Sequence, residues 1–466
     1  MQYPLIVLSN RGPLSWSCVN DALVSRRGAG GLVSALGPGL TATGGTWIAA
    51  AQSESDRRAA KEGQQDNGPY QVRLLTLDAA EQEQALHEIS NRILWFAHHD
   101  LWNRPYGPVF DAKTHAAWSS YRKVNKLFAA AAIKEARHLQ STSSSARLPV
   151  VLVQDYHLAL VPKLLKQLAP EIPVGHFSHT PFAHTSAFSV LPSDWRQELA
   201  EGMGAADLCS FHTQRWAARF RAILQQEAPD LTPGIAPKIE VHPLSPDPKS
   251  LQVAADSPKV RAERAILEKH LKGRRAVVRV DRAELSKNII RGIDSYTELM
   301  RRRPDLLSST AHLILVNPSR LTLKEYREYL HHCRQTAEKA NDELGEEIII
   351  FLEDDNFPRS LAAFLLADVF IVNPISDGMN LVAKEGPLLN EKNAPVVLST
   401  EAGAYEELAE MCLGVNPYDI TATAKAIEIA LEMPENERER RAQALRHQAM
   451  AHPPGQWLTA QLEGLQ

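Results

Sequence analysis

The chain has 466 residues, more than one ordinary hydrophobic core organises, so two domains are expected. Its 44% hydrophobic and 23% charged residues are ordinary for a globular protein, and a net charge of −4 argues against a nucleic-acid partner. No apolar run reaches about 18 residues, no charged-then-apolar leader is present and the four cysteines form no Cys-x-x-Cys pair, so we expect a cytoplasmic protein with free thiols and no membrane partner.

Short β-branched runs alternate with longer helical stretches along almost the whole chain. This alternation is typical of parallel sheets with helices on both faces. Five runs in each half predict one sheet per half. The runs are 5–9, 150–154, 174–178, 208–211 and 239–242, followed by 276–280, 312–316, 348–352, 369–372 and 396–399.

The stretch 243–258 is rich in Pro, Ser and Asp and is the best candidate for a linker between the halves. Ligands of open parallel sheets bind beyond the carboxyl ends of the strands. The residues that directly follow each run are therefore the candidates for chemistry.

Two candidates follow runs in the first half. After the run 5–9, Arg11 offers several donors to a phosphate, and Gly30 and Gly31 would let the backbone approach a ligand closely. A glycine-rich hairpin tip explains the glycines equally well. After the run 150–154, Asp155 is a candidate acceptor for a substrate hydroxyl, and a helix N-cap is the alternative.

Histidines give no case for a metal. His176 and His179 are three residues apart, and such positions in a strand point to opposite faces of the sheet. The adjacent pairs 98–99 and 331–332 also lack ligand spacing. No metal and no other cofactor is predicted.

In the second half, Arg282 and Lys287 follow the run 276–280 five residues apart. Two fixed cations at one sheet edge suit a diphosphate, whose negative charge grows when it departs as a leaving group. A solvated basic loop is the alternative. Arg320 adds a third cation after the next run.

The segment 377–385 follows the run 369–372 and gives the strongest indication of a ligand. Asp377-Gly378 turns the chain into a stretch of good helix formers, and backbone N–H groups at a helix start attract phosphate. The carboxylates of Asp377 and Glu385 beside such a site are better explained as acceptors for hydroxyl groups. Hydroxyls together with phosphate indicate a nucleotide sugar.

Taken in order, these segments resemble the retaining glycosyltransferase family that contains trehalose-6-phosphate synthase. The resemblance implies an α/β fold with two Rossmann-like domains facing across a cleft, of the GT-B type. It also implies an acceptor-binding domain at 1–248, a nucleotide-sugar-binding domain at 249–450, and a final segment, 451–466, that crosses back to the first domain. The matching segments are 9–11, 30–32, 91–95, 118–125, 155–157, 179–182, 282–287 and 377–385.

The resemblance also implies a role for each matching residue. Arg282 and Lys287 would bind the donor diphosphate during catalysis. His179 would contact the donor sugar, and Asp155 would line the acceptor. The other donor-binding residues would be Gly30, Gly31, Asp377, Gly378, Met379, Asn380, Leu381 and Glu385. The other acceptor-binding residues would be Arg11, Trp47, Trp95, Tyr156 and Arg320.

The sequence departs from the family pattern at several places. Between Arg282 and Asn288 it lacks the tyrosine and the glycine that are usual in this loop, and Leu86 stands where a tyrosine is usual. The segments 287–288, 317–321 and 386–391 look more like the validoxylamine-phosphate synthase branch, which joins cyclitols without forming a glycosidic bond.

The expected activity is therefore transfer of a glucosyl unit from UDP-glucose or GDP-glucose to a sugar phosphate with retention, α,α-trehalose-6-phosphate synthesis being the leading case. The alternatives are the coupling of a nucleotide cyclitol to an aminocyclitol phosphate, a synthase of the glucosylglycerol-phosphate type, and a catalytically silent sugar-phosphate sensor. The expected partners are these substrates, and further copies of the chain are an additional candidate.

Overall fold

The structure is a computed structural model, and it describes residues 4–28, 31–62, 70–142, 148–231 and 236–465. The chain divides into two compact units, Met1–Leu244 with Pro454–Gln466, and Ser245–Pro453. It therefore passes between the units twice. Each unit is built on a parallel sheet with helices, so the predicted α/β fold with two Rossmann-like domains is confirmed.

In the first unit, the described residues form a seven-stranded parallel sheet with the order β5-β4-β1-β6-β7-β8-β9, and a separate β2-β3 hairpin. Strand β1 lies near the middle of the sheet and is buried along its whole length, because every residue from Leu5 to Leu8 is apolar. The strands are β1 (Leu5–Ser9), β2 (Leu14–Val19), β3 (Ala22–Arg27), β4 (Thr46–Ala50), β5 (Gln71–Leu75), β6 (Val150–Gln154), β7 (Val174–Ser178), β8 (Leu208–Phe211) and β9 (Lys238–Val241).

In the second unit, the described residues form a six-stranded parallel sheet with the order β12-β11-β10-β13-β14-β15. Two apolar clusters cover its two faces, and alternate residues such as Val277 and Val278 point into opposite clusters. The strands are β10 (Arg275–Arg282), β11 (Thr310–Asn317), β12 (Ile349–Glu353), β13 (Ala367–Val372), β14 (Val396–Ser399) and β15 (Leu413–Val415).

The helices cover the sheets of both units. Those of the first unit are α1 (Gly31–Thr43), α2 (Glu54–Lys61), α3 (Ala79–Glu83), α4 (Trp95–His98), α5 (Ala112–Thr142), α6 (Val161–Leu168), α7 (Thr185–Phe188), α8 (Ser193–Gly204) and α9 (Gln214–Glu227), with a π-helical stretch at Gln84–Leu94 and a 3-10 turn at Tyr156–Leu158. Those of the second unit are α10 (Pro248–Ala255), α11 (Pro258–Leu271), α12 (Ile289–Arg302), α13 (Lys324–Leu344), α14 (Phe357–Leu366), α15 (Val382–Leu389), α16 (Tyr405–Leu408), α17 (Ile420–Glu432) and α18 (Glu435–Ala449), with 3-10 turns at Leu285–Lys287 and Pro304–Leu306.

The last helix, α19 (Pro454–Gly464), belongs to the first unit. Its Trp457 and Leu458 are buried in the core of that unit, and α19 packs on α1. Gly39 makes this contact possible, because a Cβ at that position would lie 2.0 Å from the side chain of Leu458. The chain end is thereby anchored on the first unit.

The stretch 243–258, predicted as the linker between the halves, contains the boundary between the two units at Leu244 and Ser245, but it is not an irregular connection throughout. Helix α10 occupies half of it, and Asp247 caps that helix by accepting the N–H of Lys249. Pro, Ser and Asp are common in linkers, but they are also the residues that begin helices.

In each sheet the chain reverses its direction of progress at one point. In the first unit this switch lies between β1 and β6, and in the second between β10 and β13. Such switch points open a crevice at the carboxyl ends of the strands. In both units, predicted site residues directly follow the strands at the switch point.

Candidate active site

The second unit places two predicted residues on either side of its switch point. Lys287 ends the 3-10 turn after β10, and Asp377 lies in the loop after β13. The Lys287 Nζ donates a hydrogen bond to the Asp377 Oδ2 at 2.6 Å and lies 3.9 Å from the Asp281 Oδ1. Residues 90 positions apart are thus joined because β10 and β13 are neighbours in the sheet.

Lys287 is a cation in this position. Burial works to lower the pKa of Lys287, but the carboxylates of Asp377 and Asp281 outweigh burial and raise the pKa above its ordinary value. The site therefore presents a fixed ammonium group rather than a neutral amine.

The loop after β10 is shaped by Asn288. This residue has a φ of 60°, in the left-handed region, and leads directly into α12. Its Nδ2 donates to the carbonyl oxygens of Asn373 and Pro417, at 3.0 and 2.7 Å. Asparagine tolerates left-handed backbone better than most residues, so it serves where the family usually has glycine.

Arg282 is paired with a carboxylate that sequence reasoning missed, and the charge of Arg320 acts on the same carboxylate. Glu284 is fully buried, and its Oε1 lies 3.0 Å from the Arg282 Nη1 and accepts the Ser319 hydroxyl. Burial works to raise the pKa of Glu284, but Arg282 and Arg320 lower it to about 2. The signal that could have found Glu284 is an acidic residue between two cations in a loop at a sheet edge.

A pocket of about 200 Å³ opens at the ends of β10, β11 and β12. Arg282, Lys287 and Glu385 all line it. Burial raises the pKa of Glu385 to about 7, because a charged carboxylate is poorly solvated there. The side chain of Arg282 remains 52% exposed and can reach a ligand.

The turn between β13 and α15 holds the remaining predicted donor residues. Asn380 has a φ of 72°, and its Nδ2 donates to the Asp377 Oδ2 at 3.1 Å. Met379 is buried in the core of the unit and Leu381 packs against the same core. Only the backbone of Met379 is therefore placed to contact a ligand. Gly378 lies against Gly403, where a Cβ would meet the Gly378 carbonyl oxygen at 1.9 Å.

In the first unit, Asp155 follows β6 at the switch point. Its φ of 69° and ψ of 169° lie in a region that is essentially restricted to glycine, and such strain concentrates at functional sites. Its Oδ1 accepts the backbone N–H of His179 at 3.2 Å. The strained backbone thus places a carboxylate beside His179.

His179 is neutral. Burial, with the nearby rings of His212 and His176, moves the pKa of His179 well below its ordinary value. Its Nε2 lies 2.9 Å from the Gln154 Oε1, which orients the ring. A neutral imidazole is suited to hydrogen bonding with a sugar hydroxyl.

Other predicted residues of the first unit lie near this switch point. Arg11 follows β1 and is exposed. Trp95 stacks on His99 with ring centroids 3.9 Å apart and lies 6.0 Å from the ring of Tyr156. Gly31 begins α1, and Gly30 lies outside the described residues.

The prediction that Trp47 contacts the acceptor is wrong. Its side chain is 0% exposed within β4, and its Nε1 donates to the Ser9 Oγ at 2.7 Å. The Ser9 hydroxyl in turn donates to the Arg11 carbonyl oxygen at 2.6 Å. Trp47 therefore belongs to the core and fixes the turn that carries Arg11.

Within the described ranges, no group of three or more His, Cys, Asp or Glu side chains is arranged to hold a metal ion. In the same part of the chain, no helix is long and apolar enough to cross a membrane.

Two parallel-sheet units, one carrying a cationic pocket at its switch point, define a glycosyltransferase of the GT-B type. The chain belongs to glycosyltransferase family 20, whose family model matches residues 4–466.

Two curated relatives and one solved structure illustrate the likeness. The trehalose-6-phosphate synthase of Mycobacterium sp. (strain KMS) is 32% identical over 484 residues, covering 99% of this chain and 94% of the relative. The validamine 7-phosphate valienyltransferase of Streptomyces hygroscopicus subsp. jinggangensis (strain 5008) is 30% identical over 437 residues, covering 90% and 85%. A UDP-forming α,α-trehalose-phosphate synthase from Burkholderia vietnamiensis superposes with a TM-score of 0.82 at 26% identity, over 99% of both chains.

Proposed function

We propose that this glycosyltransferase moves a glucosyl unit, with retention, from a nucleoside-diphosphate glucose to a sugar phosphate, and that glucose 6-phosphate is the acceptor and α,α-trehalose 6-phosphate the product. The observation that carries the proposal is the pocket in which Arg282, Lys287 and Glu385 converge beside Asp377. Its chemistry fits a ribose attached to a diphosphate, with cations for the phosphates and a carboxylate for the hydroxyls.

In the proposed reaction, the bond between the anomeric carbon and the diphosphate oxygen breaks, and a bond from the acceptor hydroxyl oxygen forms on the same face. The acceptor proton passes to the departing diphosphate oxygen, so no carboxylate nucleophile is required, in contrast with a retaining glycosidase. Arg282 and Lys287 stabilise the negative charge that grows on the diphosphate. At an effective dielectric constant of 20, one cation about 4 Å from a unit charge contributes roughly 4 kcal/mol.

On the acceptor side, Arg11 and Arg320 would bind the phosphate, and Tyr156 and Trp95 would line the sugar. Asp155 would accept an acceptor hydroxyl, and His179 would donate to or accept from the donor sugar. The strained backbone of Asp155 supports a functional rather than a purely structural role for that carboxylate.

A second candidate is the coupling of a nucleotide cyclitol to an aminocyclitol phosphate. Two observations favour it: the 30% identity to the valienyltransferase, and Asn288 at the position where the usual loop has glycine. Both candidates use the same diphosphate pocket, so they differ only in the two groups that are joined.

The proposal is tested by incubation with UDP-glucose and GDP-glucose, each with glucose 6-phosphate, and, in parallel, with a nucleotide cyclitol and an aminocyclitol phosphate. The products are identified by mass spectrometry and NMR. An α,α-linked disaccharide phosphate is expected. Product formed only from a nucleotide cyclitol and an aminocyclitol phosphate would favour the second candidate. Tight binding of sugar phosphate without turnover of any donor would indicate the sensor instead.

A further inference from the structure

A buried arginine lies behind the diphosphate pocket. Arg279 stands inside β10, three positions before Arg282, and its side chain is fully covered. A charge in the middle of a parallel sheet is costly unless it is paired and hydrogen-bonded. The contacts of Arg279 therefore indicate its role.

Each arm of the Arg279 guanidinium reaches a different segment of the chain. The Nε lies 2.9 Å from the Asp281 Oδ2, and the Nη1 donates to the Asn373 Oδ1 at 2.5 Å. The Nη2 donates to the carbonyl oxygen of Lys287. One side chain thus ties together the end of β10, the turn that presents Lys287 and the loop that leads from β13 to Asp377.

The charged side chains form an alternating row that runs from the interior towards the surface. Arg279, Asp281, Lys287 and Asp377 are 0%, 5%, 13% and 17% exposed, in that order. Arg279 is closer than Lys287 to the Asp281 carboxylate, at 2.9 Å against 3.9 Å. The Lys287 ammonium therefore stays with Asp377, at the edge of the pocket.

We propose that Arg279 is a positioning residue for the reaction: by holding Asp281 and the Lys287 carbonyl, it keeps the Lys287 ammonium facing the diphosphate. The inference rests on the proposed function, because it assigns Arg279 to the binding of the same diphosphate. When the guanidinium is displaced, Asp281 has Lys287 as its remaining partner and draws the ammonium inward, away from Asp377.

Gly292 offers a way to displace the guanidinium without removing its charge. A Cβ at this position in α12 would lie 2.4 Å from the Arg279 Nη1 and 3.4 Å from the Asn373 Oδ1. The flexible end of Arg279 is then the group that moves. Alanine also has a higher helix propensity than glycine, so the substitution favours the helix while it disturbs the cluster.

The test is the dissociation constant for UDP and for GDP, measured by titration calorimetry on the full chain. Gly292→Ala is expected to weaken the better of the two ligands about 10-fold, equivalent to about 1.4 kcal/mol. Gly455→Ala is the matched control, because a Cβ at this position in α19 meets nothing within 4 Å. The affinity of the Gly455→Ala variant for the same nucleotide is expected to stay unchanged.

A double-mutant cycle separates positioning from a general structural effect. In a Lys287→Ala background, Gly292→Ala is expected to change the dissociation constant less than about twofold, because the group that it misplaces is absent. The same 10-fold loss in both backgrounds would overturn the positioning role. If Gly292→Ala does not fold, Arg279→Lys, which keeps the charge but cannot hold three partners, undergoes the same cycle.

Different results would contradict the positioning role of Arg279 and the proposed function. Equal affinity of the unsubstituted chain and Gly292→Ala for UDP or GDP would overturn the role of Arg279 alone. Absence of binding of both nucleotides to the unsubstituted chain would overturn the proposed function, and the positioning role with it.

Discussion

The strained backbone of Asp155 predicts that two substitutions of this residue differ in stability although both lose activity. Its φ of 69° and ψ of 169° cost a non-glycine residue about 1–3 kcal/mol. Glycine relieves this strain, but it loses about 0.5–1 kcal/mol more backbone entropy on folding than alanine does. From the middle of these two ranges, Asp155→Gly is therefore expected to be about 1 kcal/mol more stable than Asp155→Ala.

The comparison between the two variants isolates the backbone. Both lose the carboxylate that accepts the His179 N–H at 3.2 Å, so the cost of that hydrogen bond cancels. Both are also expected to lose turnover, because neither can bind the acceptor hydroxyl that the proposed function assigns to this carboxylate.

Urea unfolding followed by tryptophan fluorescence is the suitable assay. All 8 tryptophans lie in the first unit, between Trp16 and Trp216 and at Trp457, so the signal reports on the unit that contains Asp155. If Asp155→Ala unfolds at the same urea concentration as Asp155→Gly or a higher one, the strain argument is wrong. Full turnover in Asp155→Gly would remove the carboxylate from the reaction.

Three further predictions concern other parts of the molecule. Burial lowers the pKa of His98 to about 3 and that of His176 to about 4, so both rings are neutral in the folded protein and protonate on unfolding at mildly acidic pH. Above about pH 6.5 their contribution to the free energy of unfolding is fully present. As the pH falls it is lost, by about 2 kcal/mol for each histidine at pH 5. An unfolding midpoint that does not change between pH 7 and 5 would contradict this. Trp47→Phe is expected to lower the free energy of unfolding by about 1–3 kcal/mol, whereas a raised KM for the sugar phosphate with unchanged stability would return Trp47 to the acceptor site. Burial raises the pKa of Glu385 to about 7, so this carboxyl group is partly protonated near pH 7. When UDP binds, its ribose hydroxyls stabilise the carboxylate, and Glu385 is expected to release a proton. The enthalpy of UDP binding measured by calorimetry should therefore depend on the buffer in the parent and not in Glu385→Gln.

The sequence predicted best the strands that are buried on both faces. Val150–Gln154 and Val174–Ser178 have the predicted bounds, because continuous apolar runs of this length leave little choice of structure. Strand β4, at Thr46–Ala50, was missed because alanine has a low strand propensity, and β5 was missed because polar residues interrupt it. Their places in the sheet come from neighbouring strands rather than from their own residues.

The pocket residues divide in the same way, into those that local sequence predicts and those whose contacts depend on the order of the strands. Arg282, Lys287 and Glu385 were predicted from their positions after strands, and one pocket contains all three. The contact between Lys287 and Asp377 depends on which strands are neighbours, which no local pattern states. Arg279 was overlooked because an arginine inside an apolar strand has meaning only once its partners are known.

The error at Trp47 has a similar cause. A tryptophan after a glycine-rich turn can face either the core or the crevice, and a shift of one residue along a strand exchanges the two faces. In β4 this side chain faces the core, where it holds the hydroxyl of Ser9.

Turnover of the proposed donor and acceptor by Lys287→Ala tests the central claim most directly. A cation that stabilises the departing diphosphate contributes about 100-fold or more to the rate, so at least that loss is expected relative to Lys324→Ala, which removes an exposed lysine of α13 in the same unit. Turnover in Lys287→Ala equal to that of Lys324→Ala would contradict the claim.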